Sequence, residues 1–179
     1  IGDYDNQVNN LLVALGNIPG DILYGKYCRA DLLSDYAVVL VPDNPAIADD
    51  LALELKKYVE NGGNLILEGA AVSNAVLADL AGVRPAGTEQ AGLQEVSGAA
   101  GPLAGWNWSW RGTVAPVAGR GAEMLACFTN GAPALTVASA GRGKVAYSVP
   151  VLSACVLTDD QARHAVLKLV EFLAGALPL

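Results

Sequence analysis

Apolar residues along this chain alternate between two periods, and each change of period marks an element. Val8, Leu11, Leu12 and Leu15 recur at helical spacing, and Asn17 to Gly20 ends that helix with Pro19 and Gly20 as breakers. A short strand is predicted over Asp21 to Tyr24. Tyr36-Ala37-Val38-Val39-Leu40-Val41 is an unbroken apolar run closed by Pro42, the pattern of a parallel strand covered on both faces. Asp49 can cap the next helix, on which Leu51, Leu55, Tyr58 and Val59 share a face. Asp50 and Glu54 lie towards its start and Lys56-Lys57 later, an order that suits the helix dipole. Asn61-Gly62-Gly63 supplies its stop. Asn64-Leu65-Ile66-Leu67 then reads as a strand, Gly69-Ala70-Ala71 as a sharp turn, and Ser73 starts a helix over Asn74 to Leu80 that Gly82 ends.

The second half has another character. From Pro85 to Gly121 the chain is rich in Gly and Ala, with short β-like pieces and no helix. Ala122 to Phe128, Pro133 to Ala138 and Lys144 to Val149 read as strands joined by the turns TNGAP and SAGRGK. Thr158-Asp159-Asp160-Gln161 has the form of a capping box, and Ala165, Leu169 and Phe172 follow at core spacing. The order βαβαβα in the first half implies a doubly wound parallel sheet, because parallel neighbours need helical crossovers. The expected fold is therefore one α/β domain over residues 1–179, with a flavodoxin-like, mainly parallel sheet and antiparallel β additions in the second half.

Composition narrows the function. With 53% hydrophobic and 16% charged residues in 179, the chain can build a sizeable core. A net charge of −7, with Lys56-Lys57 the only adjacent basic pair, excludes a nucleic-acid partner. Cys28, Cys127 and Cys155 are odd in number and lack metal-site spacing, which favours free thiols in a reducing, cytoplasmic compartment. No apolar run approaches the ~20 residues of a membrane helix, so no membrane partner is expected. The chain opens on Ile1 rather than Met, the mark of a piece of a longer chain.

Several of these segments together resemble a known family. The strand Asp35 to Pro42, the helix end Tyr58-Val59-Glu60-Asn61-Gly62-Gly63 and the strand Asn64 to Leu67 are similar to the strand–helix–strand segment of the trimerisation domain in bacterial beta-galactosidases. Ala122 to Ala126, Gly131 to Ala134 and the hairpin Gly141-Arg142-Gly143-Lys144-Val145-Ala146-Tyr147 resemble later parts of it, and Asp3-Tyr4-Asp5-Asn6 its start. The Tyr-Val…Gly-Gly segment is shared with a wider group of class I glutamine-amidotransferase-like domains. The resemblance implies a flavodoxin-like sheet used for association beside a glycosidase barrel, with no chemistry of its own. Its implied partners are copies of itself and an adjoining glycosidase catalytic domain.

The chemistry-bearing residues agree with that absence. A class I amidotransferase needs a Cys on the elbow and a His after a late strand to activate it. Here the elbow holds Gly69, Ala70 and Ala71, and the last strand runs into Pro150-Val151-Leu152-Ser153-Ala154-Cys155. The single histidine, His164, falls one turn into the final helix. Cys28 has Lys26 and Arg29 beside it but no evident base, and Cys127 sits in a strand. AGRGK lacks the preceding Gly and following Ser or Thr of a phosphate loop. Asp3 and Asp5 are the best carboxylates for a polar site, and neither carries a glycosidase signature. No cofactor or metal is called for.

One segment stands apart. In Gly105-Trp106-Asn107-Trp108-Ser109-Trp110-Arg111-Gly112 a strand would place three tryptophans on one face and Asn107, Ser109 and Arg111 on the other. Three adjacent indoles exceed the apolar patch a soluble monomer tolerates, so something must cover them. The candidates are the domain's own core, another domain or subunit, or a sugar ring bound by Trp106, Trp108 and Trp110. Three functions remain in view: an oligomerisation domain of a glycoside hydrolase, a carbohydrate-binding module, and a hydrolase with an unusual site built from Asp, Glu and Cys28.

Overall fold

The structure, a computed structural model, describes residues 2–16 and 18–175, and side chains from Asn6 onward. The Asp3 and Asp5 carboxylates lie outside the described residues. Helix α1 (Gly2–Leu15) turns Leu11 and Ala14 into the core. No strand forms over Asp21 to Tyr24, where all four residues are exposed; a 3-10 turn (Gly25–Tyr27) and the short helix α2 (Ala30–Leu33) follow. A segment that short gains nothing from extension unless a neighbouring strand takes up its backbone groups. The missing neighbour also leaves β1 (Val38–Val41) on the sheet edge, half-buried at every position rather than covered on both faces.

Helix α3 (Asp49–Glu60) starts one residue earlier than a cap at Asp49 would place it, with Ala48 in the cap position and Asp49 and Asp50 in the first turn. Strand β2 (Asn64–Glu68) enters a 3-10 turn (Gly69–Ser73). Asn74, not Ser73, caps helix α4 (Ala75–Leu80), its side chain accepting from the Val76 and Leu77 amides. Strands β3 (Val83–Pro85), β4 (Gln90–Gly98), β5 (Asn107–Val114), β6 (Val117–Gly119), β7 (Glu123–Phe128), β8 (Pro133–Ala140) and β9 (Gly143–Ser148) follow. A last 3-10 turn (Leu152–Ala154) leads to helix α5 (Asp160–Ala174), capped by Asp159 through the Gln161 and Ala162 amides.

The main sheet has seven strands in the order β1-β2-β9-β8-β7-β4-β5, and β3 pairs with β6 in a separate ribbon. Only β1 with β2 and β2 with β9 are parallel, with Val39 opposite Leu65 and Leu65 opposite Val145. The other four pairings are antiparallel. The sheet is therefore mostly antiparallel, and the mainly parallel, doubly wound expectation is corrected. The reason lies in the connections. Short turns such as Gly141-Arg142 can join only antiparallel neighbours, and every chain link from β7 to β9 is of that kind. The Gly- and Ala-rich stretch is also more regular than its composition suggests, with β4 and β5 pairing over eight positions. Helix α5 touches β1 and β2 near one end of this order and β5 at the other, so the sheet curls around it.

At the N-terminal ends of the parallel strands, backbones approach too closely for side chains. A Cβ on Gly63 would fall inside the Tyr58 ring, and one on Gly143 would meet the Gly63 and Val59 carbonyls. Gly62 has a φ of +110°, which suits glycine. The Tyr58 hydroxyl donates to the Tyr36 carbonyl at 2.8 Å and accepts the Asn64 amide at 3.2 Å. The Asn64 side chain donates to the Ala37 and Leu173 carbonyls and accepts the Lys144 amide. The Tyr-Val…Gly-Gly and Gly-Arg-Gly-Lys motifs are thus two halves of one joint that binds β1, β2, β9, α3 and α5. Gly143→Ala is expected to cost at least about 2 kcal/mol by overpacking. Gly20→Ala, whose Cβ would reach only Leu12 at 4.0 Å, serves as the control, and the comparison is read from denaturant midpoints.

Candidate functional site

In an α/β sheet, chemistry gathers at the C-terminal ends of the parallel strands. Here that edge is formed by Asp43 after β1, Glu68 and Gly69 at the end of β2, and Ser148 to Ser153 after β9. Gly69 takes a φ of +51°, the geometry of an elbow. The space above it is filled. A Cβ on Gly69 would collide with the Asp43 carboxylate and press on Val151. Asp43 Oδ1 accepts the Ala70 amide at 2.6 Å, and the Tyr147 hydroxyl donates to the Gly69 carbonyl at 3.0 Å. An acidic side chain therefore occupies the place where a nucleophile would stand, and Ala71 and Val72 behind it are buried.

Glu68 is the feature of this edge that the sequence reading passed over. Its side chain is fully buried, and it accepts from the Ser153 amide at 3.2 Å and from the Ser153 hydroxyl at 2.5 Å. Burial pushes its carboxyl up to about 7, with the Asp43 charge adding to the rise and the two Ser153 bonds opposing it. The sequence signal was an acid closing an apolar strand just before a glycine turn. Such an acid points inward whenever the last strand position faces the core.

The other candidate nucleophiles are not brought to this edge in a reactive state. Burial raises the Cys28 thiol, which donates to the Tyr24 carbonyl at 3.6 Å. Burial also raises the Cys155 thiol, offset only in part by the Trp110 indole. Both shifts oppose thiolate formation. His164 is exposed on α5 and lines a depression of about 440 Å³ with Asp160, Gln161, Asn107 and Trp106. Among the described residues no group of three His, Cys, Asp or Glu could hold a metal ion, and no helix is long and apolar enough to cross a membrane.

The tryptophans are placed in the core. Trp108 and Trp110 alternate with exposed Asn107, Ser109 and Arg111 on β5, while Trp106 lies just ahead of that strand. None is more than 6% exposed. Their rings follow one another at centroid distances of 5.6 and 6.4 Å, tilted rather than stacked. The Trp108 indole nitrogen donates to Asp159 Oδ2 at 2.7 Å, while the other carboxylate oxygen caps α5. One aspartate thus ties β5 to the helix around which the sheet curls. Across the strand pair, Ser109 donates to Glu95 and Ser97 to Asn107, so the outward face is polar.

Two expectations follow for solution measurements. Trp108→Ala should lower stability by about 3–5 kcal/mol, with a melting temperature shift that does not depend on protein concentration. Glu68 binds its proton more tightly folded than unfolded, so stability is greatest below its ordinary pKa of 4.5 and falls as pH rises to about 7. The fall is of order ~3 kcal/mol at ~1.4 kcal/mol per unit. Glu68→Gln should flatten that part of a stability profile measured from pH 4 to 8.

The beta-galactosidase trimerisation domain family model matches residues 28–172. A beta-galactosidase from Bacillus circulans sp. alkalophilus superposes with a TM-score of 0.79 at 22% identity, over 98% of this chain and 28% of that one. A beta-galactosidase from Rahnella sp. R3 gives 0.76 at 19%, over 94% of this chain and 27% of that one. A cytoplasmic protein from Salmonella typhimurium gives 0.74 at 17%, over 93% of this chain and 86% of that one. The chain spans about a quarter of the length of the beta-galactosidases it matches. No curated protein matches it. The chain belongs to the beta-galactosidase trimerisation domain family.

Proposed function

We propose that this chain is the association domain of a glycoside hydrolase, acting by burying surface against copies of itself and against a catalytic barrel. The observation that carries the reading is the elbow. Gly69 offers no nucleophile, and Asp43 fills the space one would need. The surface supports association. Among the ten exposed large apolar residues of the described chain, six (Val13, Ile22, Leu23, Tyr24, Tyr27 and Leu32) fall between residues 13 and 32. That concentration is more than scattered surface hydrophobics produce. The free cysteines fit a reducing, cytoplasmic setting. Burial of Trp106, Trp108 and Trp110 supports a packing role over sugar stacking, since a sugar needs an open ring face.

The purified chain should hydrolyse neither aryl beta-galactosides nor glutamine, and Cys28→Ala should leave that null result unchanged. Turnover of either substrate that disappears in Cys28→Ala or Glu68→Gln would overturn the non-catalytic reading.

A further inference from the structure

Helix α1 meets the rest of the described chain chiefly at the 3-10 turn Leu152–Ala154. Its polar contacts there are few. Asn10 Nδ2 reaches the Ser153 carbonyl at 3.5 Å, Arg163 Nε donates to the Ala14 carbonyl at 3.2 Å, and the Ser153 hydroxyl lies 3.3 Å from Gln7 Oε1. Gln7, Ser153 and Glu68 are all buried, so water does not compete for these groups.

Ser153 Oγ is within reach of two acceptors, Gln7 Oε1 and Glu68 Oε2, and a hydroxyl carries one hydrogen. The protonation of Glu68 decides which acceptor is served. A neutral carboxyl donates its own hydrogen to Ser153 Oγ, and the serine hydrogen is then free for Gln7. An ionised carboxylate takes the serine hydrogen, and the Gln7 carbonyl faces an oxygen with nothing between them. The Ser153 amide stays on Glu68 in both states.

Among the described residues, the surroundings do not supply a compensating cation. Asp43 faces Glu68 from the loop after β1. Cys155 faces it from the segment after the 3-10 turn, where Asp159 also lies. On β9, Tyr147 is engaged with the Gly69 carbonyl. Arg163 of α5 gives its Nε to the Ala14 carbonyl. A charge on Glu68 is therefore added to an already acidic corner.

We propose that one proton on Glu68 latches α1 to the fold through the relay Glu68 to Ser153 to Gln7, and that its loss releases the helix locally and uncovers Leu11 and Ala14. Burial of the carboxyl places this switch in the neutral range, at about 7.

Hydrogen exchange on the intact protein, corrected for the intrinsic pH dependence of amide exchange, tests the latch. Between pH 5.5 and 8.5, exchange in residues 7–15 by local opening should rise roughly three- to tenfold, the worth of one neutral hydrogen bond, while β2 and β9 change only as far as the global stability measured by denaturant does. In Glu68→Gln the amide can donate to Ser153 Oγ as the neutral carboxyl does, so α1 should remain protected at every pH. Gln7→Leu removes the acceptor and should show the faster exchange already at pH 5.5. A flat wild-type profile overturns the proposal, since it would mean that the Gln7 amide turns over to donate. The same pH step in Glu68→Gln or in Gln7→Leu overturns it too, and the Gln7→Leu arm decides alone if Glu68→Gln does not fold.

Discussion

The close backbone approach at Gly63 and Gly143 is the constraint on which the rest of the structure depends. It lets the end of α3 and the β8–β9 hairpin touch carbonyl to α-carbon, with the Tyr58 ring lying flat over Gly63. That contact sets β9 beside β2 in parallel, and Asn64 then fastens β1, β9 and the end of α5 to the same point. From β9 outward, the hairpin β8–β9 and the turn before β8 dictate antiparallel pairing. A mixed sheet is the consequence of one parallel joint and a series of short turns.

The opposite ends of the same strands carry no comparable freedom. At an elbow where related architectures place reactive groups, this chain has a glycine covered by Asp43 and an acid, Glu68, turned inward onto Ser153. Burial raises the Cys28 and Cys155 thiols rather than activating them. The far edge of the sheet is closed by another device, the Trp108–Asp159 bond, which joins β5 to the cap of α5. The tryptophans contribute buried area, and the outward polar ladder of β4 and β5 leaves that face wet.

Much of this was legible in the sequence, for physical reasons that can be named. The runs Val38 to Val41 and Asn64 to Leu67 declared adjacent parallel strands, and the period-two tryptophans declared which face of β5 is buried. The Gly-Gly and Gly-Arg-Gly-Lys motifs were visible, but their mutual contact depends on a separation of some eighty residues that local pattern does not encode. The overall strand direction was misread because βαβ periodicity in the first half was extended to a sheet whose majority is hairpins. The Asp21 to Tyr24 strand was misread because propensity does not supply a partner. Glu68 was overlooked because a carboxylate after an apolar run ordinarily reads as the wet end of a strand, and only the packing of Ser153 and α1 over it makes it buried.

The account gives the chain a core fixed at one joint, a blocked elbow and, among the described residues, exposed apolar side chains concentrated between residues 13 and 32. Sedimentation velocity over a hundredfold range of protein concentration tests this most directly. The account predicts a trimeric mass that dissociates on dilution or when Tyr24 and Tyr27 are both replaced by aspartate, with the circular dichroism unchanged. A folded protein that stays monomeric across the whole range would contradict it.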